Sequence, residues 1–468
     1  MFARPMFARP MSARPMFVHA ALASSFAALL AAPALAQEET VFSATLAGHA
    51  YLPALTLVAP PADAPRDAWI SGKFTGAARN DAPMSVAGDT GGLHGGRETG
   101  LRLPFIGQPL QGLSGFAMDR AEDGSIFVLI DNGFGSKLNS PDALLSFTRM
   151  NPDFDSGEVE VVEQVWLRDP NRVAPFRIAY EGTEARYLTG ADFDPESIQV
   201  IGDTVWIGEE FGPYLISATL DGVLTGVHAT RVEDAEIRSP DHPAMRIPAA
   251  AGVDYRSARS GGYEGMALQP GTGLLWAMLE KPLLLEGGEA EGRFLRVLAF
   301  DPAAGDWTGD DFRFPLAEGA TAIGDFNFID ETRALVIERD NGEGDPSLKC
   351  EGEAAPDCFP HPAMIKRVVL IDTADRDADG TVRRIGHIDL MNIQDPDGRA
   401  RLETAAARDL TGLYTLPFFT IEDVMRVDET HILVAVDNNL PFSSGRQLDQ
   451  AMNNEFVLLN VAEMLAAE

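Results

Sequence analysis

The sequence predicts an all-β chain closed into a single β-propeller of six blades. Three observations lead there. Helical periodicity is scarce beyond the N-terminal stretch. Short apolar runs bounded by turn residues recur along the chain, and five of them pair into hairpins that resemble one another.

The hairpins cover Leu113–Asn132, Pro195–Glu210, Tyr263–Lys281, Gly324–Arg339 and Ile421–Asn438. Each starts with a polar or acidic residue, runs through an apolar strand, turns, and returns through a second apolar strand to an acid and another polar group. Turn chemistry sits between the strands: Glu122-Asp123-Gly124, Gly202-Asp203, Pro270-Gly271-Thr272-Gly273, Asp330-Glu331-Thr332 and Asp428-Glu429-Thr430. Further strands follow, as in Tyr214–Leu220, Phe294–Phe300 and Arg367–Ile371. Copies recur at uneven spacing, which suits blades with insertions better than a tight solenoid. Counting outer strands near both termini with the five hairpins gives the sixth blade. A strand within Val41–Leu57 joined to one within Glu455–Val461 closes the ring and removes open edges. The competing all-β arrangement is a pair of sandwiches. Gly88–Gly100 reads as a loop insertion, and Asp234–Pro248 and Asp395–Asp409 as excursions between blades, the second a candidate helix.

Residues 1–36 read as an export signal, leaving 37–468 as one propeller domain. Arg4, Arg9 and Arg14 precede an apolar run from Met16 to Ala32, and Ala34-Leu35-Ala36 offers a small-x-small cleavage site after Ala36. An uncleaved N-terminal anchor is the alternative. No later stretch is long and apolar enough to suggest a stable membrane span. The expected location is periplasmic or secreted, as a monomer. The formal net charge of −33 repels phosphate backbones, so nucleic acid is excluded as a natural partner. Cys350 and Cys358 lie close together, and in an oxidising compartment they are expected to form a disulfide. A metal site drawing on His361 is the weaker reading.

In an antiparallel hairpin the start of the first strand and the end of the second meet at one edge. If each inner strand lines the channel, the polar ends of all five hairpins face one mouth. The candidates there are Ser114 with Asp131 and Asn132; Glu196 with Glu209 and Glu210; Glu264 with Glu280 and Lys281; Asp325 with Glu338 and Arg339; and Glu422 with Asp437 and Asn438. Crowded carboxylates raise one another's pKa or recruit a cation. Carboxylate, amide and hydroxyl oxygens are hard ligands, which favours Ca²⁺, with Mg²⁺ or Mn²⁺ as alternatives. The opposing interpretation is that each acid merely caps its own hairpin. Asp375-x-Asp377-x-Asp379-Gly380 resembles half of a calcium loop, but Gly386 stands at the twelfth position, and a solvated acidic turn accounts for it. Ser114 lies in no nucleophile elbow, and Trp206 and Trp276 read as core.

These motifs resemble the phytase-like family, described as esterase-like activity of phytase. The resemblance rests on Gly112-Leu113-Ser114-Gly115 with Asp131-Asn132-Gly133; Asp194-Pro195-Glu196-Ser197 with Gly208-Glu209-Glu210-Phe211-Gly212-Pro213-Tyr214; Tyr263-Glu264-Gly265-Met266-Ala267-Leu268 with Leu279-Glu280-Lys281-Pro282; Ile337-Glu338-Arg339-Asp340; and Glu422-Asp423 with Val436-Asp437-Asn438-Asn439. Ser197 and Asp423 stand where the family often has Gly, which is expected to add bulk or charge near the mouth. The resemblance implies an exported propeller linked to phosphoester or ester hydrolysis, and with the hard-cation site the leading expectation is metal-dependent hydrolysis of a small phosphate ester. The expected metal ligands are Glu196, Glu209, Glu264, Glu280 and Asp437, with Arg339 and Lys281 holding the anionic substrate and Glu210 or Glu338 as general base. The alternatives are metal-dependent lactone or carboxyl-ester hydrolysis, and a non-catalytic propeller stabilised by calcium.

Overall fold

The structure is a computed structural model and describes residues 39–76, 78–243 and 255–468. The expected signal peptide lies outside the described residues. Strands dominate, and the only α-helix among the described residues is the short Ala462–Leu465.

Twenty strands form five four-stranded antiparallel blades. Blade one is Leu113–Phe116, Ile126–Ile130, Ser146–Asp153 and Glu158–Trp166. Blade two is Pro195–Ile201, Thr204–Glu209, Tyr214–Thr219 and Leu224–Ala229. Blade three is Tyr263–Leu268, Leu275–Leu279, Phe294–Asp301 and Asp306–Pro315. Blade four is Ala322–Phe328, Arg333–Arg339, Lys366–Arg376 and Val382–Asp389. Blade five is Asp423–Arg426, His431–Ala435 and Asn454–Asn460, completed by Thr45–Leu52 from the other end of the chain. The first strand of each blade neighbours the first strand of the next, and that of blade five returns to blade one.

The core follows the same count. Separate apolar clusters fill the interfaces between blades one and two, two and three, three and four, four and five, and five and one. The first strands are buried on nearly every residue because they pack on both sides. The six-bladed expectation is therefore corrected to five among the described residues. The terminal strands counted towards a sixth blade instead complete the fifth. The expected closure does form: Thr45 pairs with Asn460 and Leu52 with Asn454. A shorter strand, Thr40–Phe42, also adds in parallel to the outer edge of blade four.

Local sequence explains the turns. Gly202 takes φ 58° at the first position of the two-residue loop joining Ile201 to Thr204, a conformation that glycine adopts without strain. The candidate helix at 395–409 does not form. The 88–100 segment holds part of a hairpin, Val86–Asp89 with Glu98–Leu103. Arg97 from this excursion reaches Glu343 at 2.8 Å and stacks over Phe359 at 4.8 Å. Phe359 is buried beside Cys358, which is bonded to Cys350 with Cα atoms 5.0 Å apart. Opening this short cross-link with Cys350→Ser and Cys358→Ser together should lower stability by about 2–3 kcal/mol in urea titrations, and blocked thiols should be seen by mass spectrometry before reduction.

The closing strand is also fastened by charge. Glu455, wholly buried, takes two hydrogen bonds from Arg446, at 2.9 and 2.7 Å, and pairs with His49 at 3.1 Å. Burial opposes its ionisation, but Arg446 and His49 outweigh that and bring its pKa down to about 2. A lowered carboxylate pKa gives stability that is complete above the unfolded value and fades as pH falls towards the folded one. Glu455→Gln strands Arg446 without a counter-charge and should cost about 3–5 kcal/mol at pH 7. The gap from the parent protein in thermal melts should narrow as pH is lowered from 5 to 3.

Candidate functional site at the channel mouth

Each first strand breaks register once near its start, where two residues face one on the second strand. Blade five does the same at Glu422, whose N–H, like that of the paired Asp423, faces Ala435. Such a bulge re-aims one side chain. The ladders make the bulged residues equivalent: Ser114, Glu196, Glu264, Gly324 and Glu422. The residues at or just past the ends of the second strands are likewise equivalent: Asp131, Glu210, Glu280, Arg339 and Asp437. These ten positions build the mouth.

Their contacts cross from blade to blade. Arg339 Nη2 donates to Glu264 Oε1 at 3.2 Å, Glu280 Oε1 at 3.0 Å and Glu422 Oε1 at 3.4 Å. Its guanidinium also lies 5.5 Å from the Phe419 ring centre. Ser114 Oγ donates to the other oxygen of Glu422 at 2.8 Å. Lys281 pairs with Glu280 Oε2 at 2.7 Å and keeps about a third of its side chain exposed, 32 %. Asp437 accepts from Asn439 N at 2.6 Å and Thr420 Oγ1 at 3.2 Å. Asp131 accepts from Gly133 N at 2.7 Å. Gly112 allows that placement, since a Cβ there would lie 2.2 Å from Asp131 Oδ1.

Beside this network, ligand oxygens of Asp194, Glu196 and Glu210 all lie within 4.8 Å of one another. All three come from blade two or its entrance. Asn132 Nδ2 holds Asp194 Oδ1 at 2.6 Å, and Gly262 N donates to Glu210 Oε1 at 3.0 Å. Hard oxygens from three carboxylates fit a divalent cation such as Ca²⁺ or Mg²⁺. Asp194 is absent from the sequence-based candidates. Its equivalents in blades one and three are Gly112 and Gly262, so comparing repeats hides it. The available signal is the pair of acids spaced around Pro195.

Strand alternation decides which of two adjacent polar residues reaches the mouth. Glu210 reaches it and Glu209 does not. Glu209 instead accepts backbone N–H groups from Phe211, Gly212 and Tyr214 at 2.8, 2.6 and 2.8 Å, capping its own turn. Arg339 reaches it while Glu338 is bonded to Arg384 at 2.9 Å and to Ala317 N at 2.7 Å. Asn438 spans Gly112 N and Met452 O. Asp325 lies one residue past its bulge and accepts from Val424 N of blade five at 2.8 Å. Asp423 does the same towards Gly115 N of blade one at 2.9 Å, and Ser197 donates to Tyr263 O of blade three at 3.1 Å. Ser197 and Asp423 thus join neighbouring blades and do not crowd the mouth as expected. Of the five expected metal ligands, only Glu196 belongs to the three-carboxylate group. Glu264 and Glu280 bind Arg339, and Asp437 lies beside Asp131.

Burial raises several of the mouth carboxylates. Glu196, Glu210 and Glu264 are pushed well above the usual range by burial and then by neighbouring carboxylates. Burial and Asp437 push Asp131 up likewise. Asp194 rises to about 6, its burial partly offset by hydrogen bonds from Glu196 and Asn132. Burial also lifts Asp437 to about 6, and burial with Asp437 lifts Glu422 to about 8.

The phytase-like family, described as esterase-like activity of phytase, matches residues 108–440. The chain belongs to this family. The match takes in all five first strands and every mouth residue named above. No curated protein matches the sequence. Among solved structures, similarity extends to a luciferin-regenerating enzyme at 10 % identity and TM-score 0.36, over 77 % of this chain and 81 % of that one. A GH43 endo-arabinanase from Bacillus licheniformis is similar at 10 % identity and TM-score 0.34, over 74 % and 91 %. Glutaminyl cyclase of Myxococcus xanthus is similar at 11 % identity and TM-score 0.32, over 75 % and 91 %. The propeller assignment rests on the strand ladders and interfaces themselves.

The raised values fix the sign of a pH effect. A carboxylate whose folded pKa lies above its unfolded one gives stability at low pH that is lost as pH rises through the folded value. In chelator, the melting temperature should therefore fall between about pH 4 and 8, and millimolar Ca²⁺ should restore most of it at pH 8. A chelator-treated melt that stays flat across this range would show that the mouth carboxylates do not control stability.

Proposed function

We propose that this phytase-like propeller is an exported hydrolase of small phosphate esters that works with a divalent cation held by Asp194, Glu196 and Glu210. The convergence of those three carboxylates at one mouth carries the reading. A divalent cation bound there supplies positive charge to a phosphoryl oxygen and acidifies water. The chain's own groups do the rest. Asn132 fixes the orientation of Asp194. Lys281, partly exposed beside Glu280, attracts the anionic ester at the rim. Arg339 Nε is buried and has no acceptor among the described residues, so a substrate oxygen would have to enter the mouth to take its N–H. In the cation-free mouth, burial and then Glu280 and Asp194 raise the Glu210 carboxyl, a penalty that a bound cation relieves. The disulfide fits an oxidising compartment, and no helix among the described residues is long and apolar enough to cross a membrane. The disulfide supports periplasmic or secreted placement.

One observation favours a second reading, hydrolysis of lactones or carboxyl esters. Three glutamates already engage Arg339, so Lys281 is the main cation left to face an anionic substrate. A neutral ester makes less demand on positive charge.

A substrate panel separates the readings. p-Nitrophenyl phosphate, p-nitrophenyl acetate and a γ-lactone should be offered with Ca²⁺ and with chelator, to the parent protein and to Glu196→Gln. Phosphoester turnover that needs cation and falls about 100-fold or more in Glu196→Gln supports the first reading, a loss equivalent to about 2.7 kcal/mol. Turnover of acetate or lactone alone favours the second. Cation uptake without turnover of any substrate points to a binding propeller, and turnover indifferent to chelator and substitution overturns the site.

A further inference from the structure

Blade four breaks the acidic pattern of the mouth at both equivalent positions. Its bulge carries Gly324 where the other blades carry Ser114, Glu196, Glu264 and Glu422, and it places Arg339 at the mouth position where the others place the carboxylates Asp131, Glu210, Glu280 and Asp437, at or just past the second strand's end. A Cβ at Gly324 would lie 1.8 Å from Ile421 O, so no side chain fits there. Blade four therefore brings the mouth a cation and no acid.

That cation has ion-like surroundings. A single nitrogen, Nη2, is met by one oxygen from each of Glu264, Glu280 and Glu422 at 3.0–3.4 Å. The glutamates come from blades three and five and belong to a residue set that is only 4–5 % exposed. Ca²⁺–oxygen bonds are about 2.3–2.6 Å, so these oxygens need to draw in by roughly 0.4–1.1 Å to hold a divalent ion in place of the nitrogen. Three buried carboxylates left with Lys281 as the remaining nearby cation would otherwise repel one another strongly.

We propose that the Arg339 guanidinium is a built-in cation occupying a second cation position of the mouth, so that it sets how many divalent ions the chain takes up. It acts as a specificity-determining group: the carboxylates around it are withheld from exchangeable metal, and cation uptake is confined to the rest of the mouth. The inference concerns a different set of acids from Asp194, Glu196 and Glu210 and does not require that set to bind metal.

The experiment is a direct count of Ca²⁺ per chain by equilibrium dialysis and elemental analysis, with circular dichroism to establish folding. The proteins are the parent, Arg339→Gln, Arg339→Lys, and Arg339→Gln combined with Glu422→Gln. Arg339→Gln should take up one more Ca²⁺ per chain than the parent. Arg339→Lys, which keeps a cation, should match the parent, and the double variant should lose the extra ion. If Arg339→Gln folds only when Ca²⁺ is supplied, the ion has replaced the guanidinium and the inference holds. A folded Arg339→Gln with the parental count overturns it, as does a variant that folds neither with nor without Ca²⁺. An extra ion in Arg339→Gln beside a parent that binds none supports this inference while defeating the cation reading of Asp194, Glu196 and Glu210. The converse result defeats this inference alone.

Discussion

Seven carboxylates share the mouth with Asp194 in a space from which water is largely excluded, and mutual repulsion there is the constraint around which the site is built. Charge in such a medium is tolerated when it is paired, protonated or bound to a metal. All three solutions have a place here. Arg339 pairs with the glutamates of blades three and five and offsets one charge among them. Raised pKa values keep protons on part of the set. The three-carboxylate group of blade two has oxygens spaced for a hard cation. The same arrangement that makes the cation-free mouth unfavourable makes it receptive to positive charge.

The bulge is what converts a structural repeat into a site. A regular ladder would send alternate side chains into the two neighbouring blade interfaces. One extra residue per first strand turns a side chain towards the axis and shifts the next one into the wall. Asp325, Asp423 and Ser197 occupy that next position, and each bonds the backbone of the following blade. Consecutive residues thus have separate tasks, one facing the mouth and one joining the ring. Because the blades are held by these bonds and by five apolar interfaces, the mouth residues sit on a rigid frame.

Closure contributes to that rigidity from the outer side of blade five. The terminal strand is paired along its length and anchored through His49 to Glu455 and Arg446. The family match begins at residue 108, after this strand, and ends at residue 440, before its partner at Asn454–Asn460. Both strands that close the ring therefore lie outside the matched segment.

The all-β character, the five hairpins, the closing strand and the disulfide were legible in the amino-acid sequence because each depends on local chemistry: apolar runs, turn residues, cysteine spacing and like composition. The blade number was not, since an outer strand carries no mark of which sheet it will join. The site was half legible. Residue type showed that acids gather at hairpin ends, and Glu196, Glu210 and Arg339 were among the candidates. Which member of Glu209–Glu210 or Glu338–Arg339 faces the axis depends on ladder register, which is set by pairing between strands. That Asp194 joins the cation group, and that Glu264, Glu280 and Glu422 converge on one nitrogen, depends on how three blades pack around the channel. Type and pattern are written along the chain, while direction and distance arise only when the ring closes.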